Sequence, residues 1–187
     1  NHGTLMNLNR IEFVEGKLGQ GIRLYGFDAL KSDQGGHVLI PPVIDNEVKE
    51  YTICLWTKYF NTLGPYGHGE YFISFGQEYG ISGIYATEDN FHLTYEIPVK
   101  LPIHFNKEFN FLLLKYCDGI FSGYLNANLV GENKKNVNFY KKVAAIGRHW
   151  WHLGTGENGT STRLNAVIDE VRVYNRCLSE EEIKILY

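Results

Sequence analysis

Five carboxylates crowd the stretch AVIDEVRVYNRCLSEEEIKILY (166–187): Asp169 and Glu170 inside an apolar run, then Glu180, Glu181 and Glu182 just past Ser179. Acids grouped in this way can do three things. Two carboxyls held about 5–5.5 Å apart cleave glycosidic bonds with retention, one as nucleophile and the other as acid/base. Combined with loop carbonyls they can hold calcium, which takes roughly six to eight oxygens. Or they cap helices and accept backbone amides, with no chemistry at all.

Other reactive residue types fall into no comparable pattern. The seven histidines (2, 37, 68, 92, 104, 149 and 152) include one close pair, His149 and His152, interrupted by Trp150-Trp151, and there is no H-E-x-x-H zinc motif. No G-x-S-x-G elbow is present to raise a serine nucleophile. Cys54, Cys117 and Cys177 are widely spaced with no C-x-x-C. An odd count gives no disulfide framework and allows at most one pair, so the expectation is three small buried or half-buried residues.

The elements that position these groups are strands. Of 187 residues 44% are apolar and 21% charged, with a net charge of −3, which suits one domain able to bury a core. A weakly acidic chain without a basic block gains nothing from counterion release, which argues against nucleic acid. Apolar runs such as FNFLLL are too short to insert in a bilayer. Period-two alternation marks strands at 21–27, 37–41, 51–60, 70–76, 81–87, 91–97, 109–117, 121–130, 144–149 and 166–174. Asp118-Gly119 between two of them signals a hairpin. Short strands with Gly/Pro/Asn punctuation predict an all-β antiparallel sandwich or barrel. On the last strand, strict alternation puts Val167, Asp169, Val171 and Val173 on one face and Glu170 and Arg172 on the other as a solvated pair.

Only the C-terminus reads as helix. Ser179 can cap it, Glu182 completes a capping box, and Leu178 with Ile183 makes a hydrophobic staple. Glu180 and Glu181 sit where the helix dipole favours negative charge. Ile183, Leu186 and Tyr187 form an apolar stripe for docking. Three of the five acids therefore have a structural role.

The segment VIDEVRVYNRCLSEEEIKILY resembles the final strand and helix of laminin-G-like, concanavalin A-like jelly-roll domains. NHGTLMN and FVEGKLGQGIRLYGFDA are similar to the start and entry strand of that family. YTICLWTKYF carries Trp56 at the family's tryptophan, and LKYCDGIFSGYLNANLVGE with AAIGRH follows in the family's order. The sequence departs where FNFLLL replaces a strand with Trp and His, and where the entry loop is longer. The resemblance implies an all-β jelly-roll sandwich of two antiparallel sheets with a short C-terminal helix, over residues 1–187. It also implies attachment to other domains of a larger secreted or cell-surface polypeptide, in keeping with a chain that starts at Asn1 without a signal peptide.

Jelly-roll glucanases place their acids on one strand as E-x-D-x-x-E. Here Val167 and Arg172 stand where the two glutamates belong, so the expectation is a binder and not an enzyme. In the resembled family the Asp of this motif helps bind calcium or loop backbone amides, and an entry-loop Asp often joins it. Asp169 and Asp28 are thus the candidate metal ligands, with Asp33 and Gln34 as further donors. The candidate ligand residues are Tyr66 and His68 in NTLGPYGHGEY, and Trp150, Trp151, His152 and Arg163 in GRHWWHLGTGENGTSTR. Flat rings stack on sugar C–H faces while His and Arg meet hydroxyls. His92 and Tyr95 point to opposite faces, so at most one lines a sheet cleft. The expected function is a carbohydrate-binding or adhesion module whose partner is a glycan or glycoprotein. The alternative is a protein-interaction module in a surface or phage tail-type assembly.

Overall fold

The computed structural model describes residues 3–26, 35–42, 44, 48–60, 70–77, 80–86, 90–94, 101–102, 108–137, 144–148 and 164–187. Among them, fourteen strands form two sheets of seven, and every described pairing is antiparallel. The first sheet runs, in spatial order, β1 (Thr4–Met6), β4 (His37–Ile40), β13 (Ala144–Ile146), β6 (Glu70–Gln77), β7 (Gly80–Ala86), β8 (Asn90–Thr94) and β9 (Leu101–Pro102). The second runs β12 (Asn128–Lys134), β11 (Ile120–Leu125), β10 (Asn110–Cys117), β5 (Tyr51–Tyr59), β14 (Ala166–Tyr174), β3 (Gln20–Leu24) and β2 (Ile11–Glu15). The expected two-sheet sandwich is the observed one.

Strand β5 shows how alternation builds it. Tyr51, Ile53, Leu55 and Tyr59 enter the core between the sheets, meeting Phe72, Ile73 and Ile84 from the first sheet. The intervening Cys54 and Trp56 face the other way and join Phe111, Leu113, Leu178 and Ile183 in a second, smaller cluster. That cluster is roofed by the helix α1 (Glu180–Leu186). Burying each large side chain contributes about 1.5–3 kcal/mol, so both faces of the central strands are used.

The helix starts as its residues dictate. Ser179 Oγ accepts from the Glu182 amide at 3.3 Å, and Ser179 N–H donates to Glu182 at 2.9 Å, a complete capping box. Glu182 also takes two hydrogen bonds from Arg176, at 2.6 and 2.8 Å. Arg176 first, and the Ser179 amide second, hold its carboxyl down at about 2. Tyr187 stacks on Trp56 with ring centroids 5.4 Å apart. Thr52 fastens the segment leading into α1: its hydroxyl donates to the Arg176 carbonyl at 2.9 Å and accepts from the Leu178 amide at 3.1 Å.

Four features differ from the alternation reading. The predicted strand 121–130 is two strands, β11 and β12, because Asn126 and Ala127 adopt positive φ (50° and 60°) and turn the chain back. Strands β1, β2 and β9 went unpredicted, being short segments that each lie at the edge of a sheet. A bulge in β14 between Asp169 and Arg172, with Glu170 at φ 48°, shifts the phase of the strand. Val171 and Val173 therefore pack into the inter-sheet core, while Val167 and Asp169 stay on the outer face. Finally, Cys117 and Cys177 form a disulfide across 60 residues, with Cα atoms 6.1 Å apart, leaving Cys54 as the buried free thiol.

Candidate functional site

Asp169 lies opposite Trp56 on the outer face of the second sheet and is 7% exposed. The turn joining β2 to β3 curls over it. Oδ2 accepts from the Leu18 amide at 2.9 Å, and Oδ1 accepts from the Glu170 amide at 2.8 Å. Gly16 lies so close that a Cβ there would stand 2.5 Å from Oδ2, so the anchor requires glycine at this position. Charge-assisted bonds to two amides answer the problem of a nearly buried carboxylate. Glu170 pairs with Arg172 in the open, the expected solvated pair, although the bulge puts Arg172 opposite the outward Cys54 and not on the face that alternation assigned it.

Among the described residues, no three His, Cys, Asp or Glu side chains gather in one place. Asp28, Asp33 and Gln34 lie outside the described residues. So do the candidate ligand residues Tyr66, His68, Trp150, Trp151, His152 and Arg163, together with His149 and Tyr95. Within the acid stretch, the described contacts give Asp169 a loop to hold and give Glu182 a cap.

The other outer face, that of the first sheet, gathers polar and aromatic groups that sequence reasoning largely missed. Tyr85 alternates with the core residues Ile84 and Ala86, so it points away from the core. Tyr71 and His92 stand opposite it on the flanking strands. The three rings stack as a ladder: Tyr71 on Tyr85 at 5.2 Å and 27°, then Tyr85 on His92 at 4.7 Å and 11°. Tyr71 and Tyr85 are 8% and 5% exposed, and His92 is half-exposed, so the ladder is open at its His92 end. Its sequence signal lay in three separate strands, and only the register brings the rings together.

Toward the other side of this sheet lies a buried polar cluster. His37 alternates with the core residue Val38 and faces outward, 1% exposed. Its Nδ1 lies 3.3 Å from the Gly35 carbonyl, and its Nε2 lies 3.4 Å from Arg148 Nη1. Burial lowers the His37 pKa below its ordinary 6.5, the Gly35 carbonyl acts against this, and the Arg148 charge adds to it. The neutral ring then donates from Nδ1 to Gly35 and accepts at Nε2 from Arg148. Ser74 Oγ donates to the Arg148 carbonyl at 2.6 Å. Burial likewise lowers the Arg148 pKa.

This architecture is a concanavalin A-like jelly roll, a fold that hosts binders and hydrolases alike. A family model described as the concanavalin A-like lectin/glucanases superfamily matches residues 32–184, and the chain belongs to that family. No curated protein matches the sequence. Domain 4 of AbnA, an extracellular arabinanase from Geobacillus stearothermophilus solved with arabinotriose, superposes with a TM-score of 0.67 at 15% identity, over 98% of this chain and 87% of that domain. The binding domain of Paraclostridial Mosquitocidal Protein 1 gives 0.65 at 13% identity, over 98% of this chain and 47% of that one. Trypanosoma rangeli sialidase gives 0.66 at 18% identity, over 95% of this chain but 28% of the enzyme. These likenesses establish the shared fold.

Proposed function

We propose that this chain is a non-catalytic carbohydrate-binding module that receives a glycan on the outer face of the first sheet. The Tyr71–Tyr85–His92 ladder carries this reading, because its two buried tyrosines hold the half-exposed His92 ring in place as a contact for a sugar. The segments bearing the candidate ligand residues follow or precede strands of that sheet in the sequence. Residues 61–69, with Tyr66 and His68, lead into β6, and residues 149–163, with Trp150, Trp151, His152 and Arg163, begin directly after Arg148. The arabinanase domain solved with arabinotriose supports a saccharide ligand by analogy of fold. On β14, where a jelly-roll glucanase would carry its acids, Asp169 is engaged with two backbone amides.

A glycan array on this chain is the test, followed by His92→Ala and Trp150→Ala with the best glycan. Losing one stacked ring weakens binding about two- to tenfold, since such contacts contribute about 0.5–1.5 kcal/mol. An array without hits, or two variants that bind as the parent does, rejects this reading in favour of an assembly module. A structural calcium shared by Asp28 and Asp169 is a separate part of the proposal. Metal analysis and a melt with and without chelator test it. Extracellular or surface placement is also proposed, and the Cys117–Cys177 disulfide supports it, since such bonds persist in oxidising compartments.

A further inference from the structure

We infer that the outer face of the second sheet carries a separate trough that takes a carboxylate-bearing saccharide. Its floor is a row of outward side chains in register: Arg23 on β3 opposite Val167 on β14, and Val167 opposite Lys58 on β5. The β2–β3 turn that Asp169 anchors closes one end with Gly16 and Lys17, and Tyr25 and Phe60 stand at the other. The trough encloses about 570 Å³, within the range of roughly 300–1,000 Å³ typical of small-molecule sites.

Its charge opposes that of the whole chain. Lys17, Arg23 and Lys58 line it against the single acid Glu15, on a protein of net charge −3. Glu12 stands opposite Arg23 and accepts from the Tyr25 hydroxyl at 2.7 Å, which leaves three cations against two carboxylates around the trough. The cations are set against rings: the Arg23 guanidinium lies 3.8 Å from the Phe60 centroid and 4.9 Å from that of Tyr25, and Lys17 Nζ lies 4.3 Å over Trp56. Arg23 Nη2 donates to Asn165 Oδ1 at 2.5 Å, whereas Nη1 is buried and has no acceptor among the described residues. A buried donor left unpaired is costly. Phe60 and Tyr25, each 38% exposed, stand between it and solvent.

A planar guanidinium in a trough that also holds two ammonium groups suits a carboxylate. The exposed rings and the valine floor fit the apolar face of a pyranose. An acidic peptide fits less well, because strand addition needs a free sheet edge, and the floor strands β3, β14 and β5 are each paired on both sides, the free edge lying on β2 beside the floor. The saccharide half of this inference rests on the carbohydrate-binding reading, whereas its position and charge selection rest on this face alone.

The test is calorimetric titration of the chain at low salt with trigalacturonate, its neutral methyl ester, and tetraglutamate. Trigalacturonate is expected to bind, more weakly as salt rises, and at least about tenfold better than the ester or the peptide. Arg23→Gln and Lys58→Gln should each weaken it, Arg23→Gln by about tenfold, the scale of one charge-assisted hydrogen bond. Lys58 is a surface side chain, so its variant stays informative if Arg23→Gln misfolds. His92→Ala should leave trigalacturonate binding unchanged. Absence of binding, equal binding of the ester or tetraglutamate, or indifference to Lys58→Gln overturns the inference. If neutral glycans still bind in a His92-dependent way, the carbohydrate-binding reading survives that result.

Discussion

The carboxylate of Asp169 accepts the backbone amide of Leu18 at 2.9 Å, joining positions 151 residues apart in the chain. This bond, with the Glu170 amide on the other oxygen, ties an edge hairpin to the middle of the second sheet. Asp169→Ala should destabilise the protein by about 1.5–3 kcal/mol or more, the scale of one hydrogen bond to a charged group. Gly16→Ala should act in the same direction by pushing the turn off its acceptor. Thermal melts in chelator and in calcium separate the roles: an anchor loses stability equally in both.

Reduction of Cys117–Cys177 should cost about 2–5 kcal/mol, because the bond closes a 60-residue loop in the unfolded chain. Cys54 is 1% exposed, and burial pushes its thiol up to about 12. A thiol reagent should therefore find no reactive thiol in the native protein and one after unfolding. A stoichiometric native reaction would contradict the pairing.

Stability should fall on mild acidification. His37 has a lowered pKa when folded, so below about 6.5 the unfolded chain binds the extra proton first. Its contribution is complete above that value and is lost as the pH falls below it. The melting midpoint should decline from pH 7 to pH 5, and His37→Asn should flatten that slope. An identical slope in the variant would remove His37 as the cause.

Trp56 is clasped by Tyr187 on the closing helix and by the Lys17 ammonium from the hairpin. Trp56→Ala should cost about 3–5 kcal/mol. Tyr187→Ala, at a residue 56% exposed, should cost far less. Denaturant midpoints compare the two, and equal losses would mean that Trp56 depends on the stack for its stability.

Local signals carried much of the fold. Asp118-Gly119 turns at positive φ (49° and 76°) between paired strands, and the capping box forms around Ser179 and Glu182. What escaped prediction depends on backbone states that the residue types do not announce. Ala127 at φ 60° gives no turn signal, yet its partner Asn126 is held by the Phe111 amide on its side chain at 2.8 Å. Glu170 in the left-handed region reverses the face assignment of everything after it in β14, so alternation put Val171 beside Asp169. The aromatic ladder needed the register of β6, β7 and β8 to exist at all. The trough needed a hairpin to fold back across its own sheet.

The disulfide also governs how the chain would answer a mechanical load. Tension entering at residue 3 and leaving at Tyr187 passes from Cys117 directly to Cys177, so the intervening residues bear none of it. Strands β11, β12, β13 and β14 lie within that shunted loop, including the strand that carries Asp169. With 60 residues excluded at about 3.3–3.6 Å each, the stretched contour is shorter by roughly 200 Å. An oxidised domain would thus act as a short tether, and a reduced one as a long one.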